Sequence, residues 1–142
     1  MDYTVFNDLL EGVQVISDDL RYVYLNESVK KQAGIQHRDV IGLKCESVFS
    51  GIEQSNAFVK IQECIRTGEP INFMNRFDFP DGSTGYFELR MNRTQDGVLL
   101  FSVDRTDEMR KEELVRLANK RYETMPIIAR VLIVWPGFRV LL

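Results

Sequence analysis

The spacing of apolar and polar residues changes period several times along the chain, and each change marks an element. Val5, Phe6, Leu9 and Leu10 fall at helical spacing, which predicts a short amphipathic helix over residues 3–10 that Gly12 ends. Residues 13–17 and 21–25 read as two short strands around an Asp18-Asp19 turn. Asn26 or Ser28 can cap a short helix through Ala33, stopped by Gly34. Residues 38–41 predict another helical turn and residues 45–49 a third, a run of short helices of the kind that walls a cavity. Residues 54–67 form the first long helix, with Ala57, Phe58, Ile61 and Ile65 on one face and Gly68-Glu69-Pro70 as its stop.

Three strands follow. In residues 71–79, Ile71, Phe73, Phe77 and Phe79 share one face. Pro80-Asp81-Gly82-Ser83 is a turn in which Pro fixes φ and Gly accepts a positive one. Residues 86–92 alternate again, with Phe87, Leu89 and Met91 inward and Glu88, Arg90 and Asn92 outward. After the Gln95-Asp96-Gly97 turn, the apolar run 98–103, broken only by Ser102, is a central strand. From Asp107 the pattern becomes alternating charge, as in an exposed helix. Asp107 with Lys111 and Glu112 with Arg116 are favourable i,i+4 pairs, worth about 0.2–0.5 kcal/mol each. Leu114, Ala118, Tyr122 and Met125 make an apolar seam that fits either a second copy or the helix's own domain.

Strands and helices segregated in this order imply an α+β fold: a five-stranded antiparallel sheet with short helices on one face, enclosing a small cavity. The expected segments are a flanking N-terminal helix over residues 1–11, the domain over 12–104, a linker helix over 105–125 and an apolar tail over 126–142. That tail is β-prone and too short and interrupted to span a bilayer, and the sequence leaves its role open.

Composition narrows the function. A chain of 142 residues fits one domain with a single sizeable core. Eighteen basic against 21 acidic residues give a net charge of −3, which argues against a nucleic-acid surface. Two cysteines and one histidine leave no disulfide framework, zinc site or histidine-based catalytic constellation. No signal peptide or membrane span is visible, so insertion in a membrane is not expected and the cytoplasm is the expected location. No nucleophile–base pair or glycine-rich phosphate loop appears, which argues against an enzyme.

Asn75 stands out because it occupies an inward strand position, in register with Phe73 and Phe77, where alternation calls for an apolar side chain. A buried amide must find partners or cost about 1–3 kcal/mol; a ligand, a water or a backbone group could supply them. Asn75, Phe73, Phe58, Ile61, Cys45, Phe87 and Phe101 are the candidate cavity residues. His37, in a polar loop, reads as solvated, and Arg76, Arg90 and Arg93 as surface charge.

The hairpin ending in Tyr22-Val23-Tyr24-Leu25-Asn26, then Asp39-Val40-Ile41-Gly42, Gly68-Glu69-Pro70, Pro80-Asp81-Gly82 and Asp104-Arg105-Thr106 before Glu112-Glu113-Leu114, resemble in order and spacing a PAS domain with its C-terminal motif. The resemblance covers about residues 6–113. It implies a sensory or dimerisation module, with a homodimer or a signalling protein as partner, a small-molecule ligand, and an output of the histidine kinase or diguanylate cyclase type. Asp104 and Thr106 match the Asp-x-Thr signature and are the expected signal relay. Cys45 falls where the light-oxygen-voltage subgroup keeps its adduct-forming cysteine. Around it, however, Gly42-Leu43-Lys44-Cys45-Glu46-Ser47-Val48-Phe49 replaces the Gly-x-Asn-Cys-Arg-Phe-Leu-Gln pattern, so the residues that hold flavin are missing. The haem-binding subgroup keeps a histidine on the long helix, and residues 54–67 have none. Flavin and haem are therefore not expected, and the ligand is open. A ligand-free dimerisation domain and a small α+β enzyme are the alternatives.

Overall fold

The computed structural model describes residues 1–134, the last three by their backbone alone. Two compact units result, one of Met1–Thr106 and one beginning at Asp107.

In the first unit, β1 (Gly12–Ile16), β2 (Tyr22–Leu25), β3 (Ile71–Asp78), β4 (Thr84–Thr94) and β5 (Gly97–Asp104) form a sheet in the order β2-β1-β5-β4-β3, every neighbouring pair antiparallel. Between β2 and β3 run α1 (Glu27–Ala33), α2 (Cys45–Val48), a 3-10 turn at Ile52–Gln54 and α3 (Asn56–Thr67). The core lies on one face of the sheet. Phe58, Ile61 and Cys64 of α3 are buried against Phe87, Leu89 and Met91 of β4 and Val98 and Leu100 of β5. A bulge between Val15 and Ile16 offsets the β1–β2 register. Tyr22 and Leu25, three residues apart, both reach this core as a result. Gly97 makes the closest approach in the sheet: a Cβ there would meet the Ile16 carbonyl oxygen at 2.0 Å, and its φ of 135° suits glycine alone.

Asn26 ties the opposite end of the sheet together. Its side chain is 1% exposed, and every polar atom has a partner. Oδ1 accepts from the Val13 amide at 2.9 Å and, as the cap of α1, from the Val29 amide at 3.0 Å. Nδ2 donates to the carbonyls of Phe6 at 2.9 Å and Glu11 at 3.0 Å.

That node also explains why residues 3–10 are not the expected helix. The chain makes one 3-10 turn, Thr4–Phe6. The Phe6 and Glu11 carbonyls are held by Asn26, and that of Leu9 by the Ser28 hydroxyl, so these acceptors serve side chains instead of a helix. The segment packs on the outer face of the sheet: Tyr3 stacks on Tyr24 at 5.3 Å and Phe6 meets Phe101 edge-on at 5.8 Å, while Val5 and Leu10 stay exposed. Residues 38–41 are likewise not helical. The Asp39 carboxylate accepts from the Ile41 amide, the Gly42 amide donates to the Tyr22 carbonyl at 2.7 Å, and Arg21 bridges to Lys44. These contacts hold the segment along the edge of β2.

The second unit contains α4 (Thr106–Thr124), which starts in the first, and α5 (Ile127–Val134). On α4, Arg116 pairs with Glu113, one turn behind it, and not with Glu112 as expected. The β-prone reading of the tail is corrected where the structure describes it, since Ile127–Val134 is helical; residues 135–142 lie outside the described part.

Candidate functional site

All five strands, α1, α3 and the segments carrying Ile35, Phe49 and Ile52 line a partly open cavity of about 130 Å³. Its wall is mostly aliphatic and aromatic, and none of the lining side chains is charged. The polar exceptions are Gln14 of β1, Tyr22 of β2, whose hydroxyl lies beside Cys45, Gln32 of α1, Asn75 of β3 and Ser102 of β5.

Their hydrogen bonding is incomplete. Gln32 Nε2 donates to the Ser102 carbonyl at 3.2 Å, but its Oε1 is buried without a partner. That oxygen lies so close to Gly12 that a Cβ there would come within 2.6 Å of it. Glycine is therefore what lets the glutamine reach across β1. An unmatched buried acceptor costs about 1–3 kcal/mol. The side-chain amides of Gln14 and Asn75 form no hydrogen bond among the described residues.

The expected cavity residues separate into three groups. Asn75, Ile61 and Phe87 line the cavity. Cys45, Phe58 and Phe73 belong to the surrounding core without lining it. Phe101 is on the other face of the sheet, against Phe6, and its assignment to the cavity is corrected. In a run whose only polar member is Ser102, the remaining inner and outer positions carry the same kind of residue, so the sequence held little sign of which way Phe101 faces. Gln14 and Gln32 went unread. Gln14 sits on an inner position of a strand that is buried on both faces, so unlike Asn75 it breaks no alternation, and Gln32 follows Val29 at helical spacing.

Cys45 is 1% exposed, and burial pushes its thiol up to about 11 despite the hydrogen-bonding hydroxyl of Tyr22 beside it. Tyr22 lines the cavity and Cys45 does not, so the thiol is not presented to an occupant. A flavin adduct at Cys45 does not fit this arrangement.

A second feature sits where β5 passes into α4. The Arg105 amide donates to the Tyr86 carbonyl at 2.8 Å, extending the ladder past the strand's last residue. The Tyr86 amide then donates to Thr106 Oγ1 at 3.0 Å. The threonine hydroxyl thus serves as the last rung of the sheet while its backbone opens the helix. Asp104 Oδ1 accepts from the Thr106 amide, at 2.9 Å. Glu88 completes the clamp. Its carboxylate accepts from Arg90 at 2.9 Å and from Arg105 at 2.9 Å, and these two guanidinium groups, Arg90 first, hold its pKa below the usual glutamate value. The contact persists through the ordinary carboxylate range and loosens only in stronger acid.

Among the described residues there is no group of three or more histidine, cysteine, aspartate or glutamate residues placed to hold a metal ion. No helix of the described part is long and apolar enough to cross a membrane.

Solved structures with this fold include a domain of a sensory box sensor histidine kinase/response regulator from Geobacter sulfurreducens. It is 19% identical with a TM-score of 0.56, over 71% of this chain and 89% of that one. The Vibrio cholerae VqmA dimer in the absence of its target DNA, described for the DNA-binding mechanisms of LuxR-type receptors, is 21% identical with a TM-score of 0.62, over 74% of this chain and 50% of that one. An RNA-binding light-oxygen-voltage receptor is 20% identical with a TM-score of 0.58, over 84% of this chain and 36% of that one. No curated protein matches the sequence.

The last two structures correct the exclusion of nucleic acid. Each shares this fold and is described by its DNA or RNA, and this chain spans half or less of each. The charge balance of a sensory domain therefore does not exclude nucleic acid from the assembly it serves. The family model for the PAS fold matches residues 6–110. With that match across most of the sequence, and with the sheet order and cavity described above, this chain belongs to the PAS family of sensory domains.

Proposed function

We propose that the chain is a cytoplasmic, non-catalytic sensory module. A small ligand occupies the cavity, displaces β4, and the displacement passes to the start of α4 and on to an output of the histidine kinase or diguanylate cyclase type. The observation that carries this reading is the two-sided character of β4. Phe87 and Leu89 form cavity wall, while the intervening Tyr86 and Glu88 hold Thr106 and Arg105. Phe87 is paired in register with Asp104, so the wall and the helix junction meet on one rung. A side chain that moves on one face carries the backbone hydrogen bonds of its neighbours with it, because alternate residues of a strand share one backbone.

The cavity's polar groups are amides and hydroxyls, none of them a base near neutral pH, which supports a binding role over a catalytic one. Both cysteines are free and buried, in keeping with a reducing compartment. A ligand shifts the output only as far as it distinguishes two states of the junction.

The test is a fusion of this chain to a reporter kinase. Ala57→Leu, which fills part of the cavity, is expected to change the output. Asp104→Ala or Thr106→Val in the same fusion is expected to hold the output constant while the domain remains folded. An output that follows cavity filling equally well in the junction variants contradicts the relay.

A further inference from the structure

Resting on the reading of the cavity as a ligand site, we infer that its occupant is a neutral, ring-sized molecule that presents a hydrogen-bond donor beside an acceptor, as a small lactam does. Size sets the first limit. The space of about 130 Å³ is close in volume to a protein cavity of about 150 Å³ that binds benzene, though this one is partly open and partly polar. Charge sets the second. An ion here would be taken out of water without a counter-charge, because none of the lining side chains is charged.

The polar groups set the third limit. Gln14, Gln32 and Asn75 bring primary amides to the cavity from β1, α1 and β3. Each amide carries an NH2 donor and a carbonyl acceptor. Among the described residues the only one of these groups with a protein partner is the Gln32 NH2, which Ser102 occupies. A hydrocarbon occupant would strip water from the amides and give nothing back. An occupant that only accepts would leave the carbonyls bare. A cyclic amide answers both, with its N–H to a carbonyl, its C=O to an NH2, and its ring against Phe77, Phe87 and Ile61. Gln32 Oε1, packed against Gly12, is reached by a donor only when the glutamine side chain turns. A turn of that kind gives up the Gln32–Ser102 hydrogen bond, so the occupant's donor is matched first by the Gln14 and Asn75 carbonyls.

The experiment is a titration of the full-length, nitrogen-15-labelled chain with 2-pyridone, benzene and benzoate, followed by amide shifts and side-chain NH2 resonances. 2-Pyridone is expected to bind at least tenfold more tightly than either of the others and to shift the NH2 signals of Gln14 and Asn75. Asn75→Leu, and separately Gln14→Leu in case the first variant fails to fold, is expected to weaken 2-pyridone about tenfold and leave benzene unchanged. Benzene binding as tightly as 2-pyridone, or benzoate binding best, overturns the ligand class while leaving the cavity as a ligand site. No shift at any cavity residue with any of the three overturns both.

Discussion

Asn26 and Asn75 are the same residue type placed inside the same domain, and they have opposite surroundings. Asn26 is sealed from solvent, and its amide is matched by four backbone groups from the N-terminal segment, β1 and α1. Asn75 lines the cavity, and its amide finds no protein partner among the described residues. A buried amide with all its hydrogen bonds made is a structural joint. Asn75 is half-buried, and its amide is available to an incoming molecule. The domain thus separates its polar interior into a rigid part that fixes the sheet and an open part available to a ligand.

Substitutions that break this contrast differ in size and in sign. Asn26→Ala removes four hydrogen bonds and leaves backbone groups unmatched in the interior. A loss of about 3 kcal/mol is expected in urea unfolding, at one to three for each uncompensated group with partial relaxation. Thr106→Val takes the acceptor from the Tyr86 amide at a half-exposed position, and a loss of about 1 kcal/mol is expected by the same assay.

Tyr3 sharpens the comparison through pH. Burial, followed by the hydrogen bond to Asp96 and its charge, pushes the Tyr3 phenol from 10.0 up to about 12. The folded state favours the neutral phenol, so this contribution is complete below pH 10 and is lost as the pH rises toward 12. Tyr3→Phe is expected to cost about 1 kcal/mol at neutral pH and to flatten this alkaline limb of the stability profile. Asn75→Leu has the smallest expected effect and the opposite sign: with no hydrogen bond to lose, unfolding in urea is expected to show stability unchanged or raised by up to about 0.5 kcal/mol. A loss of 2 kcal/mol or more at Asn75 would remove the contrast between the two asparagines.

Much of the sheet is legible from period alone. Strands β3 and β4 alternate cleanly because their outer face carries Met74, Arg76, Glu88 and Arg90 while the inner face carries Phe73, Phe77, Phe87 and Leu89. Asn75 is visible against that regular background. Gln14 is not, because β1 is buried on both faces: Val13 and Val15 are wholly buried, as Ile16 is in the core, and no alternation survives to make one polar residue stand out. The N-terminal segment misleads for a different reason. Val5, Phe6, Leu9 and Leu10 have helical spacing, but the local preference loses to the hydrogen bonds that Asn26 and Ser28 offer from a distance in sequence. The Glu88–Arg105 contact was also illegible, since each residue alone looks like ordinary surface charge and only the β4–β5 register brings them together.

The central claim is that the cavity and the start of α4 are two sides of one strand. Amide hydrogen exchange at Tyr86, compared between the native chain and Ala57→Leu, tests it most directly, because the Tyr86 amide is held by Thr106 alone and lies between the cavity and the helix. Filling the cavity is expected to change protection at Tyr86 at least fivefold, with Thr106→Val abolishing the difference. Unchanged protection at Tyr86, alongside altered exchange at Leu89 and Leu100, would show that the cavity wall moves without the junction and would contradict the account.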